Sequence, residues 1–417
     1  MNAIFLMVRK SLRQHIVSSS ITILCIALAT GLILSVFAIN RQTRLAFTGG
    51  QIGFDAVLGA RGSQLQHVLN SVFHLETSPG NIPWSLYTTV KNDRNVTLAV
   101  PYAVGDNYQG YRIVGTSEEI FTKFEYQKDK KFEMAVGRAF DPEAQEAVIG
   151  SFVAQQTGLK HGDTFQPMHG LSEEGSHSHA EEYVVVGIME PTNTPSDRVI
   201  WIPIEGIFRM GGHVLRGSGE TYEAKRGEAI PDEHKEVSAV MLKFRDQRQA
   251  MNLARTINMQ GTVATLAFPI SKVMLDLFNK MGWFHHILTL VAYLVVVVAA
   301  ASVLASIYNT INERRREFAI MRALGARRHT IFSAIIAETS FIAAVGAALG
   351  FGVYGIILTV TAQVIRSKTG VVLDALTFDP VFIYAPLGII ALGAASGILP
   401  ALKAYRTDVA ENIVPSS

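Results

Sequence analysis

The chain has a single cysteine, Cys25, so no intrachain disulfide can form. That residue lies in an apolar run and reads as a small packing side chain. Lipid attachment is excluded, because Thr22, Ile23 and Leu24 do not offer the small residues that lipoprotein processing needs. Charge is scarce too: 17% of the 417 residues are Asp, Glu, Lys or Arg, against about a quarter in soluble domains. The 37 basic and 35 acidic residues leave a formal net charge of +2, which gives no case for a nucleic-acid partner. A G-x-x-x-x-G-K-[ST] phosphate loop is missing from the sequence, which excludes a P-loop ATPase within it. The stretch from Asp55 to Ser63 has glycines but the wrong spacing and no lysine, so a turn is expected there. No Ser/His/Asp or paired-carboxylate set can be assigned from spacing, and no catalytic residues are predicted.

What is abundant is apolar sequence, 49% of the residues. Crossing a hydrocarbon core of about 30 Å takes about 20 helical residues, and four segments qualify: 16–40, 281–311, 330–365 and 381–402. The first carries no charge and exceeds the apolar core of about 7–15 residues of a cleavable signal peptide, so it reads as a retained anchor. The apolar run of the second, Ile287 to Ile311, is rich in Val and Ala. The third is longer than one perpendicular crossing requires and contains one acid, Glu338, so part of it must tilt or leave the membrane. The fourth is interrupted by Pro386 and expected to close at Pro400.

Lys and Arg in short flanking loops set orientation. Arg9, Lys10 and Arg13 precede the first span, an Arg-rich connection lies at 312–329, and Lys403 and Arg406 follow the fourth. The expected topology therefore puts 1–15, 312–329 and 403–417 in the cytoplasm, with both termini inside, and 41–280 and the loop 366–380 outside it. The region 41–280 is long enough for one or two domains with real cores. Runs at Arg112 to Val114, Ala147 to Ile149, Tyr183 to Met189, Arg198 to Ile202 and Val237 to Phe244 read as strands. Ser151 to Leu159 and Gln247 to Asn258 read as helices, the latter with Ala250, Leu253, Ala254 and Ile257 on one face. The fold class is thus an α-helical membrane protein with four transmembrane helices plus an α+β extracytoplasmic domain inserted between helices 1 and 2. The ends of that domain, near 41–47 and 270–284, are expected to continue the first two membrane helices as a stalk.

The connection 312–329 reads Asn-Glu-Arg-Arg-Arg-Glu-Phe-Ala-Ile-Met-Arg-Ala-Leu-Gly-Ala-Arg-Arg-His. Helical spacing puts Phe318, Met321 and Leu324 on one face, and Gly325 suits a helix stop. By charge alone it is an ordinary basic loop facing anionic lipid heads or an acidic partner. The Glu-Arg-Arg-x-Glu start, the Arg-Ala-Leu-Gly-Ala core and the following Glu338 together resemble the signature of the FtsX-like permease family. In order along the external region, Gly137 to Phe140, Glu146 to Gly150, Gly158 to Asp163, Tyr183 to Gly187, Pro191, Thr194 to Asp197 and Trp201 to Pro203 resemble the external domain of MacB-type permeases.

The resemblance implies a permease of an ABC machine in the bacterial inner membrane. ATP and magnesium would be bound by a separate ATPase subunit, the family's fused ATPase being missing here, and the chain itself would be no enzyme and hold no cofactor. Glu313, Arg315, Glu317, Arg322, Ala323, Leu324, Gly325 and Ala326 would lie at or near the ATPase contact, and Glu338 would be the membrane acid. The resemblance further implies mechanotransmission, pairing with a second permease copy as homodimer or heterodimer, and leaves a periplasmic protein open as a further partner. Gly346 with Gly350, and Gly393 with Gly397, have small-xxx-small spacing suited to helix pairing, either between chains or within one.

Histidines and acids are interleaved at His161, His169, Glu173, Glu174, His177, His179, Glu181 and Glu182. Imidazole and carboxylate suit zinc, and a His-x-His pair reaches one ion from an extended loop. His169, His177, His179 and Glu181 are the candidate metal ligands, against the alternative of a solvated polar hairpin. Two other functions stand beside transport: a non-transporting scaffold that regulates an external hydrolase, and a metal-responsive membrane receptor that uses no ATPase.

Overall fold

A computed structural model of the chain describes residues 3–48, 53–170, 178–211, 213–225, 227–372 and 378–406. It divides into two compact units, one made of Met1–Thr43, Met281–Gln363 and Asp374–Ser417, the other of Arg44–Lys280 and Val364–Leu373. Among the described residues four helices are long and apolar enough to cross a membrane.

The first unit is helical. Its long helices are Ile16–Thr48, Gly282–Glu313, Arg328–Thr369 and Val381–Ser396, the last followed by Ile398–Arg406. Some of their terminal residues belong to the second unit. A shorter helix, Ala3–Gln14, precedes them, and Arg315–Ala323 lies between the second and third. Ala299, Val303, Ile307 and Ile311 recur every four residues along the second long helix and are buried against Ile26, Ile335 and Ile389. Its opposite face is apolar as well, with Val297 and Val298 about two-thirds exposed. A helix that is hydrophobic all round and exposed on one side has lipid as its natural solvent. In the fourth segment the helix breaks at Gly397, not at a proline. Pro386 sits inside the helix, and Pro400 lies in the first turn of Ile398–Arg406, where its missing N–H would have had no helical partner.

Both glycine pairs serve packing within this chain. A Cβ on Gly346 would come within 2.6 Å of the Ile26 side chain, and one on Gly350 within 2.4 Å of Thr30 Cβ, while Gly31 faces Val353. A Cβ on Gly393 would meet Ala343 at 2.5 Å, and one on Gly397 the Thr339 hydroxyl at 2.6 Å. Backbone approaches of this kind are how helices associate where no hydrophobic effect separates protein from lipid.

The second unit is built on a mixed sheet with helices. Its strands are β1 (Ala56–Ala60), β2 (Ile82–Pro83), β3 (Val96–Tyr108), β4 (Tyr111–Thr116), β5 (Met134–Gly137), β6 (Glu146–Ile149), β7 (Thr164–Phe165), β8 (Met168–His169), β9 (Tyr183–Met189), β10 (Ile200–Pro203), β11 (Glu236–Val237), β12 (Ala239–Phe244) and β13 (Ala264–Ala267). The large sheet runs β13-β1-β12-β3-β4-β10-β6-β9-β5, with β7 on β9 and β8 on β3, and β2 pairs with β11 separately. Pairings are antiparallel except β10 with β4 and β6 with β9. Successive residues enter opposite cores: Leu58, Ile113, Ile149 and Ile200 one, Val57, Val114, Val148 and Trp201 the other. Burial on both faces explains why these strands read as continuous apolar runs without alternation.

Ala250 and Ala254 of helix Gln247–Gln260 are buried in the first core, with Leu253 and Ile257 packed against it. Helix Ser151–Thr157 stops at Gly158, whose φ of 76° is left-handed. The segment 55–63 differs from the turn its glycines predict. It contains β1, a central strand, and Gly59 is there because a Cβ would come within 2.3 Å of the buried His67 ring. The Arg198 run is also shifted, since Pro195–Arg198 is a short 3-10 turn and the strand starts at Ile200.

The glycine contacts make a stability prediction. In Gly350→Ala the new methyl meets the branch point of Thr30, with no flexible tip to yield, and overpacking of this kind costs about 1–3 kcal/mol. Gly352 has open space around its Cβ position. The thermal midpoint in mild detergent is expected to fall for Gly350→Ala and to hold or rise for Gly352→Ala.

Candidate functional site

Three histidines surround one carboxylate in the sheet unit. Asp106 lies near the end of β3, just after a register shift between Val104 and Asp106. Before that bulge odd-numbered Ala99 and Ala103 join the first core, and after it even-numbered Tyr108 does, so Asp106 is carried to that face. β8 pairs with β3 so that His169 stands opposite Asp106. A bridge from Met168 to Ser178 brings in His179. His213 follows helix Ile204–Arg209.

Asp106 is fully buried, and its Oδ1 lies 3.2 Å from His169 Nδ1 and 3.1 Å from His179 Nε2. His213 Nε2 lies 3.3 Å from both carboxylate oxygens and hydrogen-bonds to Oδ1, which leaves Oδ2 with no partner in hydrogen-bonding geometry. The ring centroids are 5.2–5.8 Å apart. One ligand atom from each of the four residues falls within 4.8 Å of the others. Burial acts to raise the Asp106 pKa, but the hydrogen bonds and charges of His213 and His179 outweigh it and hold the carboxyl below its ordinary value. His179 Nδ1 donates to the Gly211 carbonyl at 2.7 Å, which leaves Nε2 aimed at the carboxylate.

Of the candidate ligands, His169 and His179 come together and His177 lies outside the described residues. Glu181 is not in the cluster. Its Oε1 instead accepts the Gly211 N–H at 3.0 Å, so Gly211 is held at both its N–H and its carbonyl, by Glu181 and by His179. Asp106 and His213 are the residues that spacing did not reveal. The available signal was one acid at the end of a 13-residue strand otherwise almost free of charge.

In the helical unit the second long helix ends at Glu313, whose carboxylate lies 3.4 Å from His15 Nδ1. Arg314 leaves helical geometry (φ −97°, ψ 10°), and Arg315 opens the next helix; the Arg315 side chain lies outside the described residues. Arg314 is nine-tenths buried. Its Nε donates to Glu317 at 3.0 Å, one terminal nitrogen donates to Ser11 Oγ at 2.7 Å and lies 3.8 Å from Glu338, and the guanidinium covers the Phe318 ring. Ser11 Oγ in turn donates to Glu338. Glu338 is therefore a buried acid paired with an arginine, and the serine completes the network.

Phe318 and Ala319 are buried and Met321 packs against the same cluster. Leu324 departs from the shared face that helical spacing predicts: it caps the helix and is 83% exposed. The helix stops because Gly325 is left-handed (φ 97°), with its N–H bonded to the Arg322 carbonyl and that of Ala326 to Met321. Ala323 is the last helical residue before that stop.

The model of the FtsX-like permease C-terminal region matches residues 289–409, which contain this connection. The model of the MacB-like periplasmic core domain matches residues 19–258, more than half of the chain. The chain belongs to the FtsX/MacB-type permeases. It is thus an ABC-type permease with a periplasmic domain after its first membrane helix, in a family that works with an ABC ATPase partner at a membrane. Among solved structures it is similar to the periplasmic region of MacB from Actinobacillus actinomycetemcomitans, at 10% identity and TM-score 0.32, covering 55% of this chain and 94% of that one. The extracellular domain of the noncanonic ABC-type transporter YknZ from Gram-positive bacteria is similar at 12% identity and TM-score 0.30, covering 51% and 99%. No curated protein sequence matches.

Removing one partner of a buried ion pair leaves an uncompensated charge and costs about 3–5 kcal/mol, whereas replacing both by apolar groups is often neutral. Arg314→Met and Glu338→Met should each lower the thermal midpoint of this permease strongly, and the double variant should recover most of the loss. Additive losses in the double variant would show that the two side chains are not energetically coupled.

Proposed function

We propose that this permease transmits ATP-driven closure of a separate ATPase subunit to its periplasmic domain, so that work is done outside the membrane. The bend at Arg314 and the helix Arg315–Ala323 form the coupling element. Both termini and this element face the cytoplasm of a bacterial inner membrane, in keeping with the Arg-rich connection. A second permease copy, identical or not, completes the membrane assembly.

The observation that carries this reading is the division of labour along one short helix. Phe318 and Ala319 anchor it to the helical unit, while Ile320 and Leu324 remain 46% and 83% exposed beside a firm helix stop. An exposed leucine held at a rigid corner is a knob for a partner's groove, and burying such a side chain is worth about 1.5–3 kcal/mol. Ser11 and Glu338 hold Arg314 from two other helices, so force applied at the knob reaches the spans without a flexible link. The FtsX-type match over this segment favours the ATP-coupled reading over a receptor that uses no ATPase.

Leu324→Asp tests it cleanly, because so exposed a side chain contributes little to folding. The variant should retain its thermal midpoint yet lose copurification of the ATPase, or lose permease-dependent control of ATP hydrolysis. Unchanged association together with unchanged control would refute the assignment.

A further inference from the structure

Three imidazole nitrogens and one buried carboxylate converge on a common point, with one ligand atom from each residue within 4.8 Å of the others. The Gly211 carbonyl can only accept, so His179 carries a proton on Nδ1, and its Nε2 faces Asp106 Oδ1 at 3.1 Å. That tautomer leaves Nε2, the nitrogen turned toward the cluster, as the one that would coordinate an ion. One small cation among these four atoms would also give the buried Asp106 Oδ2, which has no hydrogen-bond partner, a role. We propose that Asp106, His169, His179 and His213 bind one divalent transition-metal cation of the zinc class.

The donor set selects the metal. Three imidazoles and one carboxylate suit zinc and its neighbours, whereas calcium and magnesium demand oxygen ligands. Bonds of about 2.0–2.2 Å in a tetrahedral shell put ligand atoms about 3.4 Å apart, and the four atoms already lie within 4.8 Å of one another. Small rotations close the difference. The second shell is in place, since the Gly211 carbonyl orients His179 and the N–H of the same residue is held by Glu181. His169, with a side chain 58% exposed, opens the site to solvent and provides the entry path. The ligands come from β3, from β8, from the residue after Ser178, which bridges to β8, and from the segment after helix Ile204–Arg209. A bound ion therefore ties three separate pieces of the periplasmic domain to its central sheet. This makes the domain's surface around His169 responsive to metal.

The test uses the full chain in mild detergent, stripped with a chelator and titrated with zinc chloride by calorimetry. One ion per chain is expected, with an absorption-edge spectrum showing three imidazoles. Outer-shell partners alone are worth about 10–100-fold in affinity, so loss of a ligand in His169→Ala, His179→Ala or His213→Ala should weaken binding by at least about tenfold. His169→Ala carries little risk to the fold because that side chain is exposed. His177→Ala should leave the affinity unchanged. No saturable binding by the wild-type chain would overturn the site. So would a loss of affinity in His177→Ala with none in His213→Ala, which would put the metal in the loop and not at Asp106.

Discussion

A bilayer core offers no water to a peptide group, and this constraint sorts the whole chain. Wherever the backbone lies in hydrocarbon its N–H and C=O groups must be satisfied within one helix. The apolar stretches at the two ends of the sequence accordingly form long helices, with exposed valine and leucine on one side and close-packed alanine and glycine on the other. The intervening 237 residues from Arg44 to Lys280 are free of that constraint, and they pair their backbone groups across strands instead. Their hydrophobic residues turn inward into two cores on either face of one sheet.

Arg314 carries the same constraint to the cytoplasmic side of the proposed topology. A charge nine-tenths buried needs partners on every side: it donates hydrogen bonds to Ser11 and Glu317 and pairs with the Glu338 carboxylate at 3.8 Å. Three stretches far apart in sequence are thereby fixed around one guanidinium. Because the interior of such a network is stiff, a push at the neighbouring helix moves the ensemble as a piece. Stiffness at this corner and exposure of Leu324 beside it are what a coupling element requires.

Much of this was legible in the sequence, for reasons that differ by element. The long helices announced themselves through uninterrupted apolar length, and the strand Tyr183–Met189 through β-branched residues. β1 was not legible, because Gly59 in a strand reads like a turn until the His67 ring packed against it is known. The partners of Glu338 were not legible: Arg314 is one of several arginines in the connection, and Ser11 sits in a separate N-terminal helix remote in sequence. In the metal cluster the pair His169 and His179 was close in sequence and therefore readable. Asp106 and His213 lie 63 and 34 residues from them, brought in by strand pairing that no spacing rule encodes. Glu181 looked like a ligand by proximity, yet its carboxylate is used to hold the backbone that orients one.

The central claim is that ATPase closure moves the periplasmic domains. With Cys25 replaced by serine, a spin label on a cysteine at Lys128, an exposed position of that domain, reports the distance between paired permeases by pulsed electron resonance. In the complex reconstituted with its ATPase, the account predicts one distance distribution without nucleotide and a displaced one when ATP is trapped by vanadate. An unchanged distribution in a complex that hydrolyses ATP normally would contradict it.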